Sequence, residues 1–153
     1  MHSRSALTAA KWIAAAFGPG FIPVVPATWT SALVCLAVWF LAVPAGALVG
    51  ALGVLTAAGL WACAPARTVF ASNDPKQFVM DEVCGMLIAL LWLPREAGLF
   101  IAAFVLFRIF DVWKPWPIIL IQRSPRPTSI MWDDLLAGVF AFVTLRMYLW
   151  IAR

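Results

Sequence analysis

Apolar residues occur in long runs along the chain, and polar residues are confined to short segments between these runs. No residue between Lys11 and Arg67 carries a formal charge. A single membrane span needs only about 20 apolar residues, so this stretch is long enough for two. A turn signal, Pro44-Ala45-Gly46, divides it near the middle. The pattern predicts two helices, over 29–43 and 47–65, that form a hairpin in the membrane.

A second apolar pair follows the polar connection 67–77. Pro94-Arg95-Glu96 separates its two halves, which predict helices over 78–93 and 97–113. At 1.5 Å per residue each helix is roughly 24 Å long. That length is barely enough to cross a hydrocarbon layer about 30 Å thick. The pattern therefore predicts a second, shorter hairpin.

The last apolar stretch follows a polar, proline-rich segment, 114–129, and predicts a helix over 133–150. The sequence thus predicts an all-α protein, a multihelical integral membrane bundle with about five membrane-embedded helices in two hairpins and a C-terminal helix. Its length favours a single domain over 1–153. Small residues such as Gly46 and Gly50 allow helix packing within or between chains, so the sequence leaves the oligomeric state open.

The composition supports lipid as the surrounding solvent. Hydrophobic residues make up 64% of the chain and charged residues 12%, compared with roughly 25% charged residues in a typical soluble domain. Because the hairpins return the chain to one side, the scarce charges gather on one face. That face holds every acid except Glu96 and every base except Arg95, Arg146 and Arg153. The positive-inside rule predicts that this face is cytoplasmic, with the N-terminus inside and the C-terminus outside.

Missing residue patterns exclude several classes of function. The net charge of +4 comes without a basic block longer than two residues, so nucleic acid is not an expected partner. The three cysteines lack C-x-x-C spacing, which disfavours a disulfide framework or a zinc site. The only histidine is His2, no cysteine has an arginine six positions later, and no phosphate-binding GxxxxGK[ST] loop occurs. Water activated by a carboxylate-held metal, or an aspartate nucleophile, remains possible.

Two acidic pairs precede apolar stretches with the same spacing. Asp81 lies four residues before Gly85, and Asp134 lies four residues before Gly138. On a helix this spacing places the glycine below the carboxylate, where another helix can pack closely. Acids at a helix start also satisfy free N–H groups, but two adjacent acids exceed what a cap needs. Carboxylates at the edge of hydrocarbon are costly, so both pairs predict cations nearby.

A third polar group ends the fourth predicted helix, where Arg108, Asp111 and Lys114 follow one another at intervals of three. One interpretation is a solvated ion pair beside an interfacial anchor. However, acids from three helix ends meet on one membrane face, together with Arg and Lys. Hard oxygen ligands suit Mg²⁺, which typically binds one or two carboxylates and substrate phosphate oxygens. Arg offers phosphate a bidentate fork and Lys a point charge.

The three acidic segments resemble the phosphatidylglycerophosphatase A family in order and spacing. The resemblance extends from Gly18 to about Leu145, and the R-x-x-D-x-x-K-P-x-P string from Arg108 to Pro117 is its most specific part. The segments are FVMDEVCGM at 78–86, FRIFDVWKPWPI at 107–118 and IMWDDLLAG at 130–138. The resemblance implies a phospholipid substrate in the bacterial inner membrane, with a multi-pass chain and a cytoplasmic active face. It implies a phosphoric monoester hydrolase that uses Mg²⁺ to convert phosphatidylglycerol phosphate to phosphatidylglycerol and inorganic phosphate.

The resemblance also implies roles for individual side chains. We expect metal-binding or water-activating groups at four acids and a fifth catalytic acid at Asp111; the four are Asp81, Glu82, Asp133 and Asp134. Spacing does not determine which acid is a ligand and which a base. Arg108 and Lys114 are expected to contact the substrate phosphate, and Thr28 and Ser31 the headgroup. Asp74 is a weaker candidate because Asn73-Asp74-Pro75 is also an ordinary turn.

Two loops depart from the family pattern. The early P-G-T-x-G-S loop is replaced by PATWTS at 26–31, and RPTS at 126–129 replaces a glycine-rich loop. Glycine lets the backbone approach a ligand closely, so these changes bear on headgroup specificity. One alternative is therefore the same fold acting on a different lipid phosphate. Another is a non-catalytic membrane partner or transport subunit, although transport sites tend to lie at the bilayer midplane rather than at one face.

Overall fold

The computed structural model describes residues 3–152, so His2 and Arg153 lie outside it. Within this range the chain forms seven α-helices and a short 3-10 turn at Pro19–Phe21, with no strand, which confirms the all-α prediction. The helices are α1 Arg4–Ala14, α2 Pro26–Leu41, α3 Ala45–Val69, α4 Met80–Leu90, α5 Ala97–Trp113, α6 Ile118–Gln122 and α7 Ser129–Ile151.

All four helices of the two predicted hairpins are present, and α5 has the predicted bounds. Helices α4 and α5 pack against each other as predicted, whereas α2 packs mainly on α4 and α5, and α3 mainly on α1 and α4. Helix α7 begins at Ser129, four residues before the predicted start, so its acidic pair lies in the second turn rather than at the helix end. The Ser129 hydroxyl donates to the carbonyls of Ser124 and Arg126 and secures this start. Helices α1 and α6 were not predicted, because the first is short and amphipathic and the second has only five residues.

Two helices are long and apolar enough to cross a membrane, α3 with 25 residues and α7 with 23. Helix α4 has 11 residues, about 16 Å at 1.5 Å per residue, which is too short to cross. The expected five membrane-embedded helices are therefore not confirmed. Large apolar side chains nevertheless face outward on α2, α3 and α5, including Phe40, Val54 and Ile101. Exposed apolar surface of this kind fits contact with lipid.

Helix α4 lies at the centre of the bundle, in contact with α2, α3, α5 and α7. Nine of its 11 residues are buried, including both acids, Asp81 and Glu82. A helix that is apolar on all sides is expected in this position. Met86 and Leu90 of α4 pack in one core with Phe107 of α5 and Ala141 of α7. The site acids therefore begin a helix that neighbours hold on every side.

Candidate active site

The site is built where α4 and α7 cross with their backbones in contact. A Cβ atom added to Gly85 would lie 2.6 Å from the Asp134 carbonyl oxygen and 2.5 Å from the Phe107 ring. A Cβ added to Gly138 would meet the Gly85 carbonyl oxygen even more closely. The predicted close packing at these two glycines is confirmed. Since each glycine lies one turn after an acid, the crossing brings Asp81 and Asp134 together.

Three buried carboxylates form the centre of the site. Oxygen atoms of Asp81, Glu82 and Asp134 all lie within 4.8 Å of one another. In residues 3–152, none of the three has a Lys or Arg nitrogen within 4.0 Å. The Glu82 backbone N–H donates to Asp81 Oδ1 at 2.9 Å, but the buried Glu82 Oε2 has no hydrogen-bond partner. A buried carboxylate oxygen without a partner is costly, so this cluster fits a bound cation.

Lys114 joins the other two acids beside this cluster. Its Nζ lies 2.5 Å from Asp133 Oδ2 and 3.7 Å from Asp111 Oδ1. Arg108 forms an ion pair with Asp111 at 2.8 Å, although the angle is not that of a hydrogen bond. Lys114 follows α5 in the left-handed region, with φ 46°, and this turn directs its side chain back to α7. Asp133 is therefore held by a lysine, whereas Asp134 belongs to the carboxylate cluster.

Burial shifts the pKa values of the site's ionisable groups, and neighbouring groups add to or oppose each shift. Burial, with the adjacent Glu82 carboxylate, raises the pKa of Asp81 well above its usual range. Burial also raises the pKa of Glu82, although its hydrogen bond with Asp81 opposes this change. Burial lowers the pKa of Lys114, but the charge and hydrogen bond of Asp133 outweigh burial and raise it overall. A divalent cation would favour the charged carboxylates and reverse the first two shifts.

A cavity of about 630 Å³ opens over these groups. This volume is within the range of about 300–1,000 Å³ that is usual for small-molecule sites. The five predicted catalytic acids all line it, together with the weaker candidate Asp74 and three bases; these residues are Asp74, Asp81, Glu82, Asp111, Asp133, Asp134, Arg67, Lys76 and Lys114. The structure thus collects the acids of three sequence segments around one concave space.

Three predicted substrate contacts lie outside this lining. The buried Ser31 hydroxyl donates to the Ala27 carbonyl within α2 at 3.0 Å. Thr28 follows Ala27, which lines the cavity. The segment 26–31, expected to be a loop, forms the first turns of α2. Arg108 borders a separate apolar groove on the outer side of α5. The headgroup and phosphate roles of these residues stay predictions.

Two cavity-lining bases, Arg67 and Lys76, were missed. Arg67 lies in the last turn of α3, and its two terminal nitrogens donate to the carbonyls of Pro125 and Arg126, at 3.2 Å each. These two hydrogen bonds hold the loop that precedes α7 against the end of α3. The sequence analysis placed both residues on the same face as the acids. No motif marked them as residues of the cavity itself.

Comparison with known proteins agrees with this geometry. The family model described as phosphatidylglycerophosphatase A matches residues 12–149. Two relatives bear that name: an Escherichia coli protein, 37% identical over 135 residues, and a Haemophilus influenzae protein, 33% identical over 141 residues. The match to the Escherichia coli protein covers 84% of this chain and 77% of that protein. The match to the Haemophilus influenzae protein covers 87% of this chain and 84% of that protein.

A Bacteroides thetaiotaomicron protein with the provisional name phosphatidylinositol-3-phosphatase is 37% identical over 149 residues, which are 91% of this chain and 92% of that protein. No solved structure matches. The relatives and the two apolar helices indicate a membrane protein. With most of its length matched, the chain belongs to the phosphatidylglycerophosphatase A family and is a phosphatidylglycerophosphatase-type lipid phosphatase.

Proposed function

We propose that the protein is a Mg²⁺-dependent phosphatase that hydrolyses phosphatidylglycerol phosphate at the cytoplasmic face of the bacterial inner membrane. The observation that carries the proposal is the cluster of Asp81, Glu82 and Asp134. Its three carboxylates are buried within 4.8 Å of one another, and no Lys or Arg in the described chain neutralises them. All-oxygen donors are the ligands that Mg²⁺ prefers. Family membership supports the substrate.

In this proposal Asp81, Glu82 and Asp134 hold Mg²⁺, which when bound polarises phosphate oxygens and lowers the pKa of water. Lys114 lies beside the cluster and donates to a non-bridging oxygen of the terminal phosphate. Asp133 and Asp111 position the ammonium of Lys114 through the contacts of 2.5 and 3.7 Å. Because both acids also line the cavity, either one is available to accept a proton from the attacking water.

The hydrolysis balances with water as the only co-reactant. The water oxygen forms a bond to phosphorus, and the bond between phosphorus and the glycerol oxygen breaks. One water proton passes to a cavity carboxylate and from there to the departing alkoxide. Inorganic phosphate and phosphatidylglycerol are released. The carboxylate ends the cycle unprotonated and unchanged.

The cytoplasmic orientation is supported by the distribution of charge. Asp81, Asp111 and Asp133 are brought to one end of the bundle, with Lys114 and Arg67 at the same cavity. Under the positive-inside rule the face with more Lys and Arg is cytoplasmic. A reporter fused after the C-terminal helix α7 is expected to score outside the cytoplasm. A cytoplasmic score would contradict this topology.

A second candidate is a different lipid phosphate. The relative with the provisional name phosphatidylinositol-3-phosphatase is as similar to this chain, at 37% identity, as the Escherichia coli relative. The changed segment 26–31, which forms the first turns of α2, lies beside the cavity, since Pro26 and Ala27 line it. Phosphate release from phosphatidylglycerol phosphate, phosphatidylinositol phosphates and phosphatidic acid, measured side by side, distinguishes these substrates. A non-catalytic transport subunit is the third candidate, and it predicts release from none of them.

The metal site is tested by neutral substitutions of nearly equal size. Asp81→Asn and Asp134→Asn are each expected to lower Mg²⁺-dependent phosphate release by about 100-fold or more, because even outer-shell changes at metal sites cost about 10–100-fold. Glu96→Gln is the matched control, since Glu96 is exposed and lies outside the cavity. Full activity of Asp81→Asn or Asp134→Asn would refute the assignment of these carboxylates.

A further inference from the structure

Two cations line the cavity without a carboxylate partner. In residues 3–152, the ion pairs shorter than 4.0 Å involve only Arg108 and Lys114 among the bases. Arg67 and Lys76 also line the cavity, and neither has a carboxylate oxygen within 4.0 Å of its side-chain nitrogens among residues 3–152. Neither cation is therefore paired directly with a carboxylate. Each is available for a charge-assisted hydrogen bond to an anionic ligand.

Arg67 is held in place by neutral groups. Its terminal nitrogens donate to the Pro125 and Arg126 carbonyls, which fixes the guanidinium plane without cancelling its charge. Its buried Nε has no hydrogen-bond partner in the described part of the chain. An N–H group that is buried and unpaired is unusual in a folded protein. Arg67 thus keeps both its full charge and an unused donor.

Lys76 lies on the opposite end of the same connection, in the turn that leads into α4. Its side chain is exposed, so its ammonium is free to reach a ligand over the cavity. Asp74, two residues earlier, lines the same cavity, but no carboxylate oxygen of Asp74 lies within 4.0 Å of a Lys or Arg nitrogen in the described part of the chain. The position of Lys76 is fixed by the turn in which the Phe78 N–H donates to the Pro75 carbonyl at 2.8 Å.

We propose that Arg67 and Lys76 form a second anion subsite, which binds the phosphodiester of the lipid substrate. The inference rests on the proposed function. Phosphatidylglycerol phosphate carries two phosphate groups, a terminal monoester and a diester, separated by a glycerol unit. The carboxylate cluster and Lys114 take the terminal monoester, and the two unpaired cations take the diester that leads to the acyl chains.

Charge balance supports this division. Six carboxylates and three cationic side chains line the cavity. Lys114 is already engaged by Asp111 and Asp133. A substrate with two phosphate groups would meet strong repulsion in this cavity unless each phosphate had its own cations. A metal held by Asp81, Glu82 and Asp134 would supply positive charge at the terminal monoester, which leaves Arg67 and Lys76 for the diester.

The test uses Lys76→Met, because Lys76 is exposed and makes no contact that the fold requires. Its charge-matched control is Lys11→Met, which removes an exposed lysine outside the cavity. Phosphate release from phosphatidylglycerol phosphate in mixed micelles gives kcat and KM. Inorganic phosphate, which resembles the terminal monoester alone, gives an inhibition constant for the same variants. Lys76→Arg tests whether another cation at this position restores KM. Arg67→Gln tests whether Arg67 also contributes to substrate binding.

We expect Lys76→Met to raise KM about tenfold, the usual loss for one charge-assisted contact. Since the diester does not react, kcat is expected to stay within about twofold. Inhibition by inorganic phosphate is expected to stay unchanged, and Lys76→Arg to restore KM. The Lys11→Met variant is expected to match the wild type. Arg67→Gln is expected to raise KM in the same way, with an added loss of kcat if the loop before α7 shifts.

The outcomes separate the subsite from the proposed function. A wild-type KM in Lys76→Met would overturn the subsite while phosphate release by the wild type upholds the function. An equal weakening of inorganic phosphate inhibition would also overturn it, because Lys76 would then bind the monoester or free phosphate. If the wild type releases no phosphate from this lipid, both the function and the subsite fail.

Discussion

The crossing of α4 and α7 makes Gly85→Ala a sharp test of how the site is assembled. The added Cβ would lie 2.6 Å from the Asp134 carbonyl oxygen, where ordinary contact begins at 3.4 Å. A backbone oxygen cannot rotate away as a flexible side chain could. The two helices must therefore separate by about 0.8 Å, or the Phe107 ring and the backbone must distort. Overpacking of this kind typically costs about 1–3 kcal/mol.

The control for the loss of stability is a substitution at a glycine that has space for a Cβ atom. Gly50 is exposed in α3, and a Cβ there meets nothing within 4 Å. Gly50→Ala is expected to be neutral or stabilising, because Ala is favoured over Gly in a helix by about 1 kcal/mol. For a chain of this size, 1 kcal/mol shifts Tm by about 2–4 °C. Gly85→Ala is therefore expected to melt several degrees below Gly50→Ala in detergent.

The same substitution is expected to weaken Mg²⁺ activation. Separation of α4 from α7 moves Asp81 and Glu82 away from Asp134, so the Mg²⁺ concentration for half-maximal phosphate release is expected to rise about tenfold. Gly50→Ala is expected to retain the wild-type value. If Gly85→Ala equals Gly50→Ala in both Tm and Mg²⁺ dependence, the reasoning about the crossing is wrong.

Two further predictions concern charge. Since burial raises the pKa of Asp81 and Glu82, protons compete with Mg²⁺ as pH falls through those raised values; apparent Mg²⁺ affinity and the rise in Tm on adding Mg²⁺ are expected to increase with pH. A pH-independent Mg²⁺ affinity would contradict this. Lys114→Met is expected to lower kcat by about 100-fold, the usual cost of one group that contacts the reacting phosphate, whereas Arg108→Met, outside the cavity, is expected to lose less. If both variants lose kcat equally in steady-state assays, Arg108 contacts the substrate phosphate as first predicted.

The central features of the site were predictable because they depend on local spacing. Asp81 and Gly85 are four residues apart, and so are Asp134 and Gly138. Helical geometry places each glycine below its acid, and the structure uses both glycines for the crossing. The predicted acids line one cavity because the parts of α4, α5 and α7 that carry them lie side by side.

Features that depend on distant contacts were not predictable. The sequence gives Arg67 and Lys76 no motif, since their place over the cavity follows from how the connection 67–77 folds back. The sequence also does not show that Asp133, and not Asp134, pairs with Lys114. That choice depends on the left-handed turn at Lys114. Hydropathy alone does not distinguish a helix surrounded by lipid from one surrounded by protein, and nine of the 11 residues of α4 are buried in the protein.

The most direct test of the central claim is phosphate release from phosphatidylglycerol phosphate by the purified protein, measured as Mg²⁺ is titrated after treatment with a chelator. The account predicts no release above background without Mg²⁺, saturable activation on its addition, and loss of that activation in Asp134→Asn but not in Glu96→Gln. Full release in the presence of chelator, or saturable activation of Asp134→Asn at the wild-type Mg²⁺ concentration, would contradict a metal held by Asp81, Glu82 and Asp134.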